Sequence, residues 1–222
     1  LLPQPPLDLT AEVQHDFEEL LSSTPPGGWV EYCLPHPKWQ FLSYLCQSKP
    51  LVLHGSQNLQ IEEVEPRKAQ DVKAYSNQNA IYATTDGIWV ISFAIIDRRR
   101  FNPLSLFNSC LHIHLTPEQV LGPYYVFSIT HSALIQNPWC TGAVYILPRA
   151  SFEQEPAQQV QGVQVTFPHW ISSVPATPRA KLMVESQDFP FLVQVHGHDD
   201  ARLTQLATEN PDGFPWPEAL VI

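Results

Sequence analysis

The chain is short of positive charge and has no long apolar run. Its 12 Lys and Arg stand against 22 Asp and Glu, a formal charge of −10, which repels phosphate backbones and argues against general nucleic-acid binding. No stretch approaches ~18 uninterrupted apolar residues, and no basic segment leads into an apolar one, so neither a membrane span nor a signal peptide is expected. Cysteine is scarce: the four at positions 33, 46, 110 and 140 show no Cys-x-x-Cys pairing and no zinc-like spacing. They read as scattered small hydrophobes, which fits a reducing, cytoplasmic setting. A glycine-rich phosphate loop and a Gly-x-Ser-x-Gly elbow are also missing, which removes two common nucleotide and hydrolase signatures.

Proline, by contrast, is abundant. The 22 prolines gather in connections such as Pro3 to Pro6, Pro25-Pro26 and Pro211 to Pro217, implying stiff loops between short elements and no long helical arrays. An apolar content of 44% with 15% charged residues over 222 positions describes one globular domain with a real core. Thr10 is placed to cap a helix reaching about Leu21, with Val13, Phe17, Leu20 and Leu21 on one face. Trp39, Leu42, Leu45 and Cys46 predict a second helix from about Pro37 to Gln47, stopped at Lys49-Pro50. Residues 1–48 are therefore expected to form an N-terminal helical cap of the same domain as residues 49–222. Beyond it, β-rich runs at Leu51 to His54, Ala80 to Thr84, Tyr124 to Thr130, Ala143 to Leu147, Val163 to Phe167 and Arg179 to Glu185 dominate. One helix, capped by Asp86 and running to about Ile96, interrupts them. Strands in series with segregated helices read as α+β.

The most informative motif is His54-Gly55-Ser56 at the end of the apolar run Leu51-Val52-Leu53. A second strand, Ala80-Ile81-Tyr82-Ala83-Thr84, follows and carries Tyr82, 28 positions after His54. A histidine and a tyrosine on neighbouring strand ends are placed to face one ligand, with glycine permitting a close backbone approach. Three stretches, LVLHGSQNLQIEEVEP (51–66), NAIYATTDGIWVISFAI (79–95) and FPHWISSVPATPRAKLMVE (167–185), resemble the three blocks of the ADP-ribosyltransferase superfamily. The resemblance is to the branch containing the poly(ADP-ribose) polymerases and the diphtheria-toxin type. It implies split, mostly antiparallel β-sheets, which follow the N-terminal helical cap that the resemblance does not cover, and NAD as substrate. By the same resemblance His54 bonds the ribose next to nicotinamide, Gly55 pairs its backbone with the nicotinamide amide and Ser56 lines that wall. Tyr82 stacks on the nicotinamide ring, and Phe93 takes the place of a second stacking tyrosine.

The third block departs from the family. His169, before Trp170, stands where the resemblance calls for the catalytic glutamate, and Val90 replaces a serine that contacts the amide. NAD cleavage builds positive charge on the ribose, which a carboxylate stabilises and an imidazole does not; a neutral imidazole acts as a base. The resemblance thus implies mono-ADP-ribosyl transfer or NAD hydrolysis, with His54, Tyr82 and His169 as catalytic candidates and an unknown protein or small-molecule acceptor. Glu153, Glu155 and Glu185 are the substitute acids within reach in sequence. Two alternatives stay open: a non-enzymatic nucleotide- or partner-binding module on the same scaffold, and a metal-dependent protein using His112, His114 and Glu118. In the last, two imidazoles alternate onto one strand face with a carboxylate beyond them. His196 to Asp200 reads instead as a loop that caps a following helix.

Overall fold

Short alternating apolar runs broken by proline give this chain many brief strands, and in the computed structural model residues 1–68, 78–160, 162–210 and 213–221 are described. In chain order the elements are β1 (Leu2–Pro3), α1 (Ala11–Ser23), β2 (Gly28–Trp29), α2 (Lys38–Ser48), β3 (Leu51–Ser56), β4 (Arg67–Lys68), β5 (Asn79–Thr84), α3 (Gly87–Ala94), β6 (Leu106–His114) and β7 (Val120–Thr130). There follow α4 (His131–Leu134), β8 (Gly142–Pro148), β9 (Glu153–Gln154), β10 (Gln158–Val160), β11 (Val163–Thr166), β12 (His169–Ser172), β13 (Ala180–Val184), β14 (His196–His198), α5 (Asp200–Glu209) and β15 (Leu220–Val221).

Among the described residues these strands form two sheets. One runs β10-β11-β6-β7-β14-β15 with β1 beside β7; the other runs β2-β13-β8-β3-β5-β12-β9 with β4 beside β5. Pairing is antiparallel except for β2 with β13 and β7 with β14, so the class is α+β. The N-terminal segment is helical as its caps and spacing predict: the Thr10 side chain accepts from the Val13 amide at 3.3 Å, and α1 buries Val13, Phe17 and Leu21. It is also woven into the sheets, through β1 on one and β2 on the other. No helix among the described residues is long and apolar enough to cross a membrane.

Helix α3 is the centre of the molecule. Seven of its eight residues are buried, as expected of a helix that is apolar all round. It packs on β3, β5 and β8 and faces the other sheet through its capped end. The buried Asp86 accepts from the Ile88 amide at 3.0 Å, the Trp89 amide at 2.6 Å and the Tyr125 hydroxyl of β7 at 2.7 Å. A single carboxylate thus satisfies two of the free amides at the start of α3 and ties the helix to the opposite sheet.

Candidate functional site

Each of the three sequence blocks contributes one of three adjacent strands. Block one supplies β3, block two β5 and block three β12, in the spatial order β3-β5-β12, while β13, also from block three, lies on the other side of β3 beyond β8. The β5–β12 ladder is regular, from Thr84 opposite His169 to Ile81 opposite Ser172. The β3–β5 ladder is registered only at Leu53 opposite Thr84, whereas β3 pairs with β8 along its whole length, from Leu51 to Ser56. Past Leu53 the two strands therefore splay.

The imidazole of His54 spans that gap. Strand alternation starts its side chain on the face of Val52, Ala83 and Tyr145, the opposite face from Leu53 and Ile146. From there Nδ1 reaches the Tyr82 carbonyl at 2.7 Å. A carbonyl only accepts, so Nδ1 carries the hydrogen and Nε2 presents a lone pair. Burial pushes the His54 pKa down, opposed by the bond to Tyr82 and reinforced by the nearby Arg67 charge, so the ring is held neutral.

Gly55 lies against α3. A β-carbon at this position would meet the Val90 carbonyl oxygen at 2.5 Å and the Phe93 β-carbon at 3.2 Å. Glycine is required here by the seat of the helix, a packing reason that stands beside the expected close approach of a ligand. Phe93 is half-buried over that strand end and meets Trp89 at 5.6 Å between ring centroids. The Ser56 hydroxyl accepts from the Asn58 amide at 3.1 Å and shapes the turn after β3.

Tyr82 and His169 share one face of the β5–β12 ladder and stack, with centroids 5.7 Å apart and planes at 28°. The Tyr82 hydroxyl is anchored on the backbone of Gln78, accepting from its amide at 2.8 Å and donating to its carbonyl at 3.0 Å. Trp89 meets the His169 ring edge-on at 5.8 Å while its indole N–H donates to Asn108 of β6 at 2.7 Å. Tyr82, His169, Trp89 and Phe93 thus form a chain of ring contacts beside α3, whereas the His54 side chain starts on the opposite face of the sheet, beside Tyr145, and meets this row only through the Tyr82 carbonyl. His169 is also paired: its Nδ1 lies 2.9 Å from Oε2 of the buried Glu155. Glu153 is exposed on β9, and Glu185 sits at the far end of β13 beside Thr141.

Trp89 completes this cluster and was read from the sequence only as an apolar helix residue, while of the three substitute acids Glu153, Glu155 and Glu185 it is Glu155 that reaches His169. Trp89 precedes Phe93 by four positions, a spacing that puts both on one helical face. Which of those acids meets His169 is set by strand pairing, and the sequence did not separate Glu155 from the other two. The metal constellation does not assemble: His114 Nε2 is 2.9 Å from the Thr166 hydroxyl, and Glu118 folds back on Thr116. Among the described residues no group of three His, Cys, Asp or Glu side chains is placed to hold an ion. The His196–Asp200 segment forms β14 and the start of α5, with Asp199 as its N-cap. A crevice of only about 10 Å³ beside α3 and β6–β7, lined by Ser92, Ile96, Leu106, Phe127 and Phe189, includes none of the predicted site residues. No family model, curated protein or solved structure matches the chain.

Proposed function

We propose that this chain binds NAD along β3, β5 and β12 under α3, as an NAD-consuming protein of ADP-ribosyltransferase type that carries out mono-ADP-ribosyl transfer or NAD hydrolysis. One observation carries the reading. Strands β3, β5 and β12, drawn from three separate blocks, lie side by side, with the His54 imidazole bonded to the Tyr82 carbonyl where β3 and β5 part. A neutral imidazole whose Nε2 accepts is suited to a ribose hydroxyl, which donates. Tyr82, Trp89 and Phe93 offer aromatic surface to a nicotinamide ring, each such contact being worth about 0.5–1.5 kcal/mol beyond burial.

Calorimetric titration with NAD tests this, with nicotinamide release followed by chromatography. Wild type is expected to bind and to release nicotinamide. His54→Ala removes a hydrogen bond worth about 0.5–1.5 kcal/mol, so its affinity should fall roughly 2- to 10-fold while its circular dichroism is kept. Unchanged affinity would count against the reading. The second reading, a non-enzymatic nucleotide-binding module, draws on the stacking of His169 over Tyr82, which covers one face of the ring. It is distinguished by binding of NAD or ADP-ribose without nicotinamide release.

A further inference from the structure

We infer that Glu155 and His169 together form the proton-accepting pair of this site, so that the carboxylate absent from the third block acts from one strand away through an imidazole. The inference rests on the NAD reading above and assigns its base.

The pair is built by strand register. Glu155 continues β9 past Gln154, and its amide donates to the His169 carbonyl at 2.9 Å, which puts the two residues opposite each other. Cross-strand neighbours on one face meet side chain to side chain, and the carboxylate lies 2.9 Å from Nδ1. Its other oxygen accepts from the Gln158 side-chain amide at 2.5 Å. Glu155 is 7% exposed, and a carboxylate taken out of water needs such partners. The consequence for His169 is a fixed tautomer: Nδ1 donates to the carboxylate, so the basic lone pair of the neutral ring is on Nε2. Tyr82 and Trp89 fix the ring plane, stacked at 5.7 Å and edge-on at 5.8 Å. A base whose orientation is set by a third group is the general arrangement for activating a hydroxyl.

The step balances without any redox partner. The bond between nicotinamide and C1′ of the ribose breaks, its electron pair leaving with nicotinamide, which departs neutral. A water or acceptor hydroxyl oxygen bonds to C1′ and gives its proton to His169 Nε2. Glu155 stabilises the resulting imidazolium, and the proton then passes to solvent. His169 is the catalytic residue; Glu155 is a positioning residue that acts through it.

The test compares wild type, His169→Ala, Glu155→Gln and Glu155→Asp for NAD affinity by calorimetry and for nicotinamide release, with folding checked by circular dichroism. A positioned base contributes about 10²–10⁴-fold. Release should therefore fall at least roughly 100-fold in His169→Ala and be partly restored by added imidazole. Glu155→Gln should lose roughly 10- to 100-fold in turnover with affinity within about 2-fold of wild type, a split that a purely structural role would not produce. Glu155→Asp, which keeps the charge, should fall between the two and serves if Glu155→Gln does not fold. Wild-type turnover in folded Glu155 and His169 variants overturns the pair while leaving the NAD reading intact. NAD binding to wild type without nicotinamide release overturns the pair too, and absence of NAD binding overturns both.

Discussion

At position 169 the chain places an imidazole against a buried carboxylate, 2.9 Å away, and this decides what a glutamate there would do. His169→Glu, which supplies the glutamate that the sequence resemblance calls for, brings two carboxyl groups within hydrogen-bond reach. Like charges so close cannot both ionise, and the pair titrates as a unit. The single variant is therefore expected to melt lower than wild type and to gain no nicotinamide release. The double variant His169→Glu/Glu155→Gln carries one carboxylate and should recover stability and exceed the single variant in turnover. Thermal melts and chromatographic assay of the two proteins check this, and a single variant as stable as the double would refute the like-charge argument.

Among elements, α3 is where small changes should be felt most. Gly55→Ala drives a methyl group to 2.5 Å from the Val90 carbonyl. Backbone yields only by moving the helix, and overpacking of this kind costs about 1–3 kcal/mol. The displaced helix carries Trp89 and Phe93, so NAD affinity should fall with stability. Asp86→Ala removes an N-cap, worth about 0.5–2 kcal/mol, and strands the buried Tyr125 hydroxyl, at about 1–3 kcal/mol. A loss of about 2–4 kcal/mol is expected in urea denaturation. Burial holds the Asp86 carboxyl above its ordinary range, against the bonds from Trp89, Tyr125, Cys110 and Ile88. Asp86→Asn keeps an acceptor and sheds the charge, and should cost less than alanine. The cap itself was legible in the sequence as an Asp before an apolar helix; its bond to Tyr125, 39 positions on, was not.

For the whole molecule, burial sets a pH dependence. His54, His112 and His198 are each pushed below the ordinary histidine range, with desolvation the leading cause. His198 is fully buried with Nδ1 2.8 Å from the Ser128 hydroxyl. Each unfolded histidine takes up a proton near pH 6.5, where its folded counterpart still does not. The unfolded state therefore binds more protons in that window, and stability, complete above about pH 6.5, is lost as pH falls toward the lowered folded values. Asp86 runs the other way, since its raised carboxyl protonates in the fold before it does in the unfolded chain. Three histidines against one acid predict a melting temperature that drops by several degrees between pH 7 and pH 5. His198→Asn should flatten the profile, and a profile unaffected by that change would remove His198 from the account.

Local chemistry was enough to read α1 from Thr10, α2 from its apolar spacing, α3 from Asp86, and β3 and β5 from short apolar runs. Each depends on interactions within a few residues, and the α+β class follows from their order. Strand β12 was legible only as part of the third block, because Pro168 and a run of four residues leave little periodicity to read. What the tertiary structure alone decided is who meets whom across the sheets. His169 with Glu155 lies 14 positions apart, Trp89 with Asn108 19, and His54 with the Tyr82 carbonyl 28. Such pairs are set by register and by the splay of β3 from β5, which are properties of two strands together and leave no periodic trace in either one.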